Sequence, residues 1–200
     1  MRVLMLLFAT AGFLTAAGIL DVFGHHWTVP EASDWKIEQE NGAQILRLVT
    51  HRGPLPGPRR PIQFALADTP PLEKATVEAD MRPLGLSLII VFAYRDAAHF
   101  DYAHLSVDTA TKEAHHNGVF HVYDGERVRI SPVDGPAAFS SRGQWHHVQF
   151  VWDGTTGEVQ VRVNGQFVPA LHAVDLSLRS GRVGLGSFDE TGDFKNVKIR

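Results

Sequence analysis

Over the last third of the chain, apolar and polar residues alternate in short runs broken by turn-forming pairs. Trp145 opens W-H-H-V-Q-F-V-W, which stops at Asp153-Gly154, and E-V-Q-V-R-V stops at Asn164-Gly165. After a break at Gly181, the runs R-V-G-L-G-S-F and F-K-N-V-K-I finish the chain. A period of two interrupted by Asx-Gly pairs predicts short antiparallel strands joined by tight turns, each with one buried face.

The same grammar holds upstream. Trp35 to Glu38 and Ile45 to Val49 read as strands hinged at Asn41-Gly42. Ala75, Val77, Ala79 and Met81 alternate with Thr76, Glu78, Asp80 and Arg82, a strand with one face to a core. Leu86 to Tyr94 is almost wholly apolar, which predicts a central strand covered on both sides. Phe100 to Asp108 is its return. A hairpin through Thr109 to Lys112 leads into Glu113 to Tyr123, and Asp124-Gly125 turns the chain into Val128 to Ile130. Between the early strands, His51 to Pro61 holds four prolines and two glycines, so it is a loop, since proline cannot donate to a sheet ladder. Its Arg52, Arg59 and Arg60 read as solvated charges, with a reach over a groove as the alternative. The pattern offers no helix and no repeat. About a dozen short strands predict an all-β, two-sheet antiparallel sandwich.

Two hundred residues at 44 % hydrophobic content suit one such domain, residues 18–200. The formal charge of −3 gives no basic surface for phosphates, so nucleic acid is not an expected partner. Arg2, the apolar run Val3 to Leu14 and the small residues Thr15-Ala16-Ala17 have the parts of a signal peptide spanning residues 1–17. An uncleaved anchor extending through Leu20 is the alternative, and the leader is then the only membrane contact expected. Either reading places the folded part outside the cytoplasm, secreted or periplasmic. The chain has no cysteine, which for an exported domain suits a bacterial source.

Three stretches resemble the concanavalin A-like lectin/glucanase jelly rolls. They are V-F-A-Y-R-D-A-A-H-F-D-Y-A-H-L from Val91 to Leu105, Q-W-H-H-V-Q-F from Gln144 with the following V-R-V-N-G-Q-F-V, and the closing G-R-V-G-L-G-S-F with F-K-N-V-K-I. Within that superfamily the chain looks closest to laminin-G-like and 3-keto-disaccharide hydrolase-like domains of secreted bacterial proteins. The resemblance implies a jelly roll that presents a concave sheet face to carbohydrate, with Trp145 packed in the core. Such folds host lectins, glycanases and spacers alike, so the fold does not choose the function.

Residue chemistry narrows the choice. Glycanases of this superfamily carry acids at i and i+2 of a strand with a further acid beyond. Here Glu78 and Asp80 share a face, but Arg82 stands where the next acid is needed. An arginine lowers neighbouring carboxyl pKa values, the reverse of what a general acid needs, so a retaining glycanase of that type is excluded. The eleven histidines are more unusual. If Ala103, Leu105 and Val107 face the core, then Tyr102, His104 and Ser106 face away. If Phe120 and Val122 face inward, then His115, Asn117, Val119 and His121 face outward. Pairing through the 109–112 turn sets Ser106 near His115 and His104 near Asn117. One face then carries Tyr102, His104, His115, Asn117 and His121, with Arg95 and His99 at the adjoining turn. Rings and amides of that kind suit a sugar's apolar face and hydroxyls; the competing reading is a polar sheet face with no ligand. His116 falls on the core side, which signals a bulge.

Zinc on strands favours H-x-H spacing, and His25-His26, His115-His116 and His146-His147 are adjacent pairs instead. No zinc site is expected from that pattern. Asp189, Glu190 and Asp193 crowd hard oxygen ligands and are the calcium candidates, against an ordinary acidic turn. No nucleophile elbow, phosphate loop or dinucleotide fingerprint is present, and no other cofactor is expected. Three readings remain: a carbohydrate-binding domain, a hydrolase or lyase on modified (3-keto-type) glycosides with His104 or His121 as base, and an interaction or spacer domain.

Overall fold

The computed structural model describes residues 17–53, 57–113 and 115–200. The leader expected as a signal peptide or anchor lies, up to residue 16, outside them. In chain order the strands are β1 (Gly18–Val22), β2 (His25–Val29), β3 (Trp35–Glu40), β4 (Ala43–Leu48), β5 (Gln63–Ala67), β6 (Lys74–Pro83), β7 (Ser87–Asp96) and β8 (His99–Ser106). They continue with β9 (Gly118–Tyr123), β10 (Glu126–Arg129), β11 (His146–Asp153), β12 (Glu158–Val163), β13 (Gln166–Phe167), β14 (Ala173–Val174), β15 (Arg182–Ser187) and β16 (Gly192–Ile199). Among the described residues the helical segments are two short 3₁₀ turns, Ala32–Asp34 and Pro169–Leu171, and no helix is long and apolar enough to cross a membrane.

The strands form two antiparallel sheets. The first has the order β1-β2-β5-β15-β7-β8-β9-β10 and the second β13-β12-β11-β6-β16-β4-β3, with β14 beside β12. Neighbours distant in sequence alternate with hairpins, the connectivity of a jelly roll. The tight turns fall where the pattern put them. At Asn41-Gly42, Asp124-Gly125 and Asn164-Gly165 both residues have φ between 50° and 80°, the left-handed pair that matches the twist of a two-residue hairpin.

The inner faces close on one core. Ala75, Val77, Ala79 and Met81 of β6 are buried there, as their alternation requires, opposite Leu88, Ile90 and Phe92 of β7 and Ala103 and Leu105 of β8. Phe92 touches the rings of Phe150 and Trp152 at 5.1 and 5.6 Å between centroids. Each such side chain, fully buried, is worth about 1.5–3 kcal/mol. Trp145 is not among them. It lies one residue out of phase with Val148, Phe150 and Trp152, so it emerges on the outer side. There Arg82 and Lys195 sit 4.3 and 4.2 Å from its ring centre.

The outer face of the second sheet is charged, as the Glu78, Asp80, Arg82 pattern implies. Glu78 accepts from Arg200, Asp80 contacts His147 and Asn196, and Arg82 binds Glu40 and Asp193. Asp193, wholly buried, is clamped by Arg47 at 2.6 Å and Arg82 at 2.8 Å.

Candidate functional site

The first sheet differs from the second because its outer face is apolar as well. Phe64 and Leu66 of β5, Ile89 and Val91 of β7, Phe100 and Tyr102 of β8, and Phe120 and Val122 of β9 form a second cluster, closed by Phe188. β7 serves both faces, and it changes phase at Ala93, whose φ of 48° marks a bulge. Phe92 and Ala93 therefore both face the core while Tyr94 joins the outer cluster. The 57–61 segment crosses this apolar face. Arg60 Nε donates to the Ala97 carbonyl at 2.7 Å. Arg59 pairs with Asp189 at 3.1 Å and lies 5.1 Å from the Phe188 ring centre. Two loop arginines read as solvated charges thus hold a strap across the sheet; Arg52 instead grips the buried Asp34 at 2.6 Å.

At the β9–β10 side of the strap the aromatic floor carries polar groups. Arg127 stands over Phe188 and Phe120, at 4.6 and 5.7 Å, and donates to the Tyr102 hydroxyl at 3.2 Å. Among the described residues it has no carboxylate partner. Two depressions meet at Arg127 and His115. One, of about 120 Å³, adds Arg59, Glu113, His116 and Asp189 around a floor of His104 and Phe188. The other, of about 450 Å³, adds Ala110, Phe120, Val128, Arg129 and Asp134.

His104 is the buried keystone of the floor. The His115 carbonyl can only accept, so Nδ1–H donates to it at 2.8 Å, and Nε2 accepts from the Ser87 hydroxyl at 2.8 Å. Burial holds its pKa down to about 3. The ring is neutral, but both nitrogens are committed to protein partners, so it has no free lone pair to receive a substrate proton. Burial likewise pushes the Tyr102 hydroxyl up to about 12.

The face expected from parity is not assembled. Tyr102 and His104 do point outward, away from Ala103 and Leu105, but both are buried. The pairing is Tyr102 with Phe120, Ala103 with Val119 and His104 with Gly118. Phe120 and Val122 therefore face outward, and His121 faces inward with Asp101. The turn at 109–112 does form, with Lys112 N donating to the Thr109 carbonyl at 3.1 Å, but it lies within an eleven-residue connection from β8 to β9, and the register slips by one from that expected; a one-residue slip reverses every side chain. Asn117, at φ 53°, is buried, accepting from Ala138 N and donating to the Pro136 carbonyl. His115 alone reaches the rim of the depressions. Arg95 and His99 sit at the distant β7–β8 turn, where His99 contacts Asp96 at 2.9 Å. His116 lies partly buried beside Ser106 and Asp108.

The calcium candidates do not converge either. Asp189 faces Arg59, Glu190 accepts from the Ser87 amide at 2.6 Å, and Asp193 belongs to the opposite sheet between its two arginines. Glu113, Arg127 and Phe188 were absent from the expected set, and Arg59 entered it only as the alternative in which the loop arginines reach over a groove. Arg127 also left a trace in the sequence: the Asp124-Gly125 hairpin pairs it with Val122, so its face follows from that of β9.

No family model matches this chain, and no curated protein sequence matches it. Solved structures do. The carbohydrate binding module CBM66 from Bacillus subtilis superposes with a TM-score of 0.61 at 15 % identity, over 87 % of this chain and 94 % of that one. The fold they share is a two-sheet antiparallel jelly-roll sandwich. A putative glycosyl hydrolase from Parabacteroides distasonis (TM-score 0.53, 14 % identity, 84 % and 93 % covered) is similar to it. So is a Bacillus subtilis protein with a galectin-like fold (0.52, 12 %, 84 % and 86 %). At these identities the likeness concerns architecture alone.

Proposed function

We propose that this protein is an extracytoplasmic carbohydrate-binding domain whose saccharide site is the pair of depressions at Arg127 on the outer face of the first sheet. The observation that carries the reading is Arg127 itself. Its guanidinium lies over two aromatic rings, is fixed by the Tyr102 hydroxyl, and has no carboxylate partner among the described residues. Its planar donors are therefore available to a ligand, and bidentate donation to vicinal hydroxyls needs that geometry. Glu113 and Asp189 supply acceptors and His115 either role. The formal charges of Arg59, Arg127 and Arg129 are offset by Glu113, Asp189 and Asp134, so the site suits a neutral polyol rather than a strong anion. The carbohydrate-binding module and the galectin-like protein among the structural neighbours support carbohydrate as the partner class.

The test is a glycan array probed with the mature protein, Arg127→Ala and His121→Asn. Binding by the wild type and the His121 variant, with loss in the Arg127 variant, is expected. Absence of any saccharide ligand favours a spacer domain instead.

A further inference from the structure

On the inner side of the first sheet, two strand residues and one turn residue converge. Asp101 of β8 and His121 of β9 stand opposite each other, with His121 Nδ1 2.7 Å from Asp101 Oδ1. Asp175, in the turn after β14, brings its Oδ2 to 3.2 Å from the same nitrogen. One donor atom from each residue lies within 4.8 Å of the others.

The ring nitrogen carries at most one hydrogen, and Asp101 takes it. Asp175 Oδ2 is left as a buried oxygen without a hydrogen-bond donor among the described residues. Its carboxylate is not free to turn away, because Oδ1 accepts from the Ser177 amide at 2.9 Å and the Ser177 hydroxyl at 2.6 Å. Asp101 is only 1 % exposed. Two carboxylates and an imidazole held around one point, with a lone pair unanswered, form a donor set that lacks its cation. Second-sphere hydrogen bonds that orient a ligand, as Ser177 does here, are a regular feature of metal sites.

We propose that Asp101, His121 and Asp175 bind a divalent transition metal of the zinc class, which replaces the proton on His121 Nδ1. One imidazole and two carboxylates suit zinc, whereas calcium wants six or more oxygens and no imidazole. Tetrahedral zinc separates its donors by about 3.3 Å, given bonds of about 2.0–2.2 Å. Asp175 already meets that spacing, and Asp101 has to open by about half an ångström. The slightly exposed His121 and Asp175, at 13 % and 14 %, leave the fourth position to water. The ion would fasten the β14 turn, paired with the second sheet, to β8 and β9 of the first. Because it displaces a proton, affinity falls as pH falls. H-x-H spacing does not mark such a site, since its ligands come from three separate segments.

The proposal is independent of the saccharide site, which lies on the other face of the sheet. Its test is zinc titration by calorimetry of EDTA-stripped wild type, Asp175→Asn and His121→Asn, with metal stoichiometry, cobalt(II) absorption and thermal unfolding read on the same samples. Asp175→Asn keeps the shape of a partly exposed side chain, and melting in EDTA equal to that of the wild type is the expected check on its fold. Expected are one zinc per wild-type chain, visible cobalt bands, a raised melting temperature, and at least tenfold weaker binding in both variants. Absence of saturable zinc binding in the wild type overturns the proposal. So does equal binding by all three proteins, which assigns the ion to other histidines.

Discussion

Phe120 stacks on Tyr102 across the β8–β9 pair, with ring centres 5.0 Å apart and planes 9° from parallel. That contact fixes the register of the two strands, and with it the side of the sheet on which every neighbouring group appears. It also builds the floor on which Arg127 stands. Replacing Phe120 by alanine opens a cavity in the outer cluster and is expected to cost about 3–5 kcal/mol. Urea unfolding measures it. The same variant loses saccharide binding at temperatures where it remains folded, because Arg127 loses one of its two ring supports.

This pair also explains where sequence reading succeeds and fails. On the second sheet only the inner face is apolar, so alternation from Ala75 to Met81 located core and surface correctly. Leu86 to Tyr94 announced burial on both faces, and β7 has it. That two-sided burial undid the next inference. Phe120 is apolar and faces away from the main core, so the rule that apolar residues point inward reversed β9 and moved His121 to the wrong side. A sheet buried on both faces carries little register information in its hydrophobic pattern. The Arg59 strap and the Phe188 turn come from distant segments, and no local period foretells them.

Asp193 tests the opposite face. Changing it to alanine leaves the guanidiniums of Arg47 and Arg82 without their shared carboxylate. Removing one partner of a buried ionic network costs about 3–5 kcal/mol. Here Glu38 and Glu40 still neutralise the two arginines from the solvent side, so the low end, about 3 kcal/mol, is expected from denaturant melts, with saccharide binding retained at low temperature.

The neutral, buried His104 sets an acid limit. A free imidazole protonates near 6.5 and the folded one near 3. Between those values the unfolded chain binds a proton that the folded chain refuses, so stability falls as pH falls, by on the order of 1 kcal/mol per pH unit. His104→Gln keeps a donor and an acceptor but does not titrate. The stability difference between wild type and this variant is expected to shift in favour of the variant with every step from pH 6.5 towards pH 4.

His121 behaves in the reverse sense. The hydrogen bond to Asp101 raises its pKa, against the effect of burial. Its contribution is complete below the free imidazole value and is lost as pH rises through the folded value. In EDTA, a histidine ring titration followed by NMR should place the His121 midpoint above 6.5, while His104 shows no titration between pH 8 and pH 5. A His121 midpoint below 6.5 contradicts the arrangement with Asp101.

The most direct test of the saccharide site is amide and arginine side-chain NMR mapping with the strongest array ligand. Shifts are predicted at Arg127, His115, Glu113 and Phe188, with none at Trp145 or His147 on the other sheet. Shifts confined to the Trp145 face, or an undisturbed Arg127 guanidinium at saturating sugar, would contradict the account.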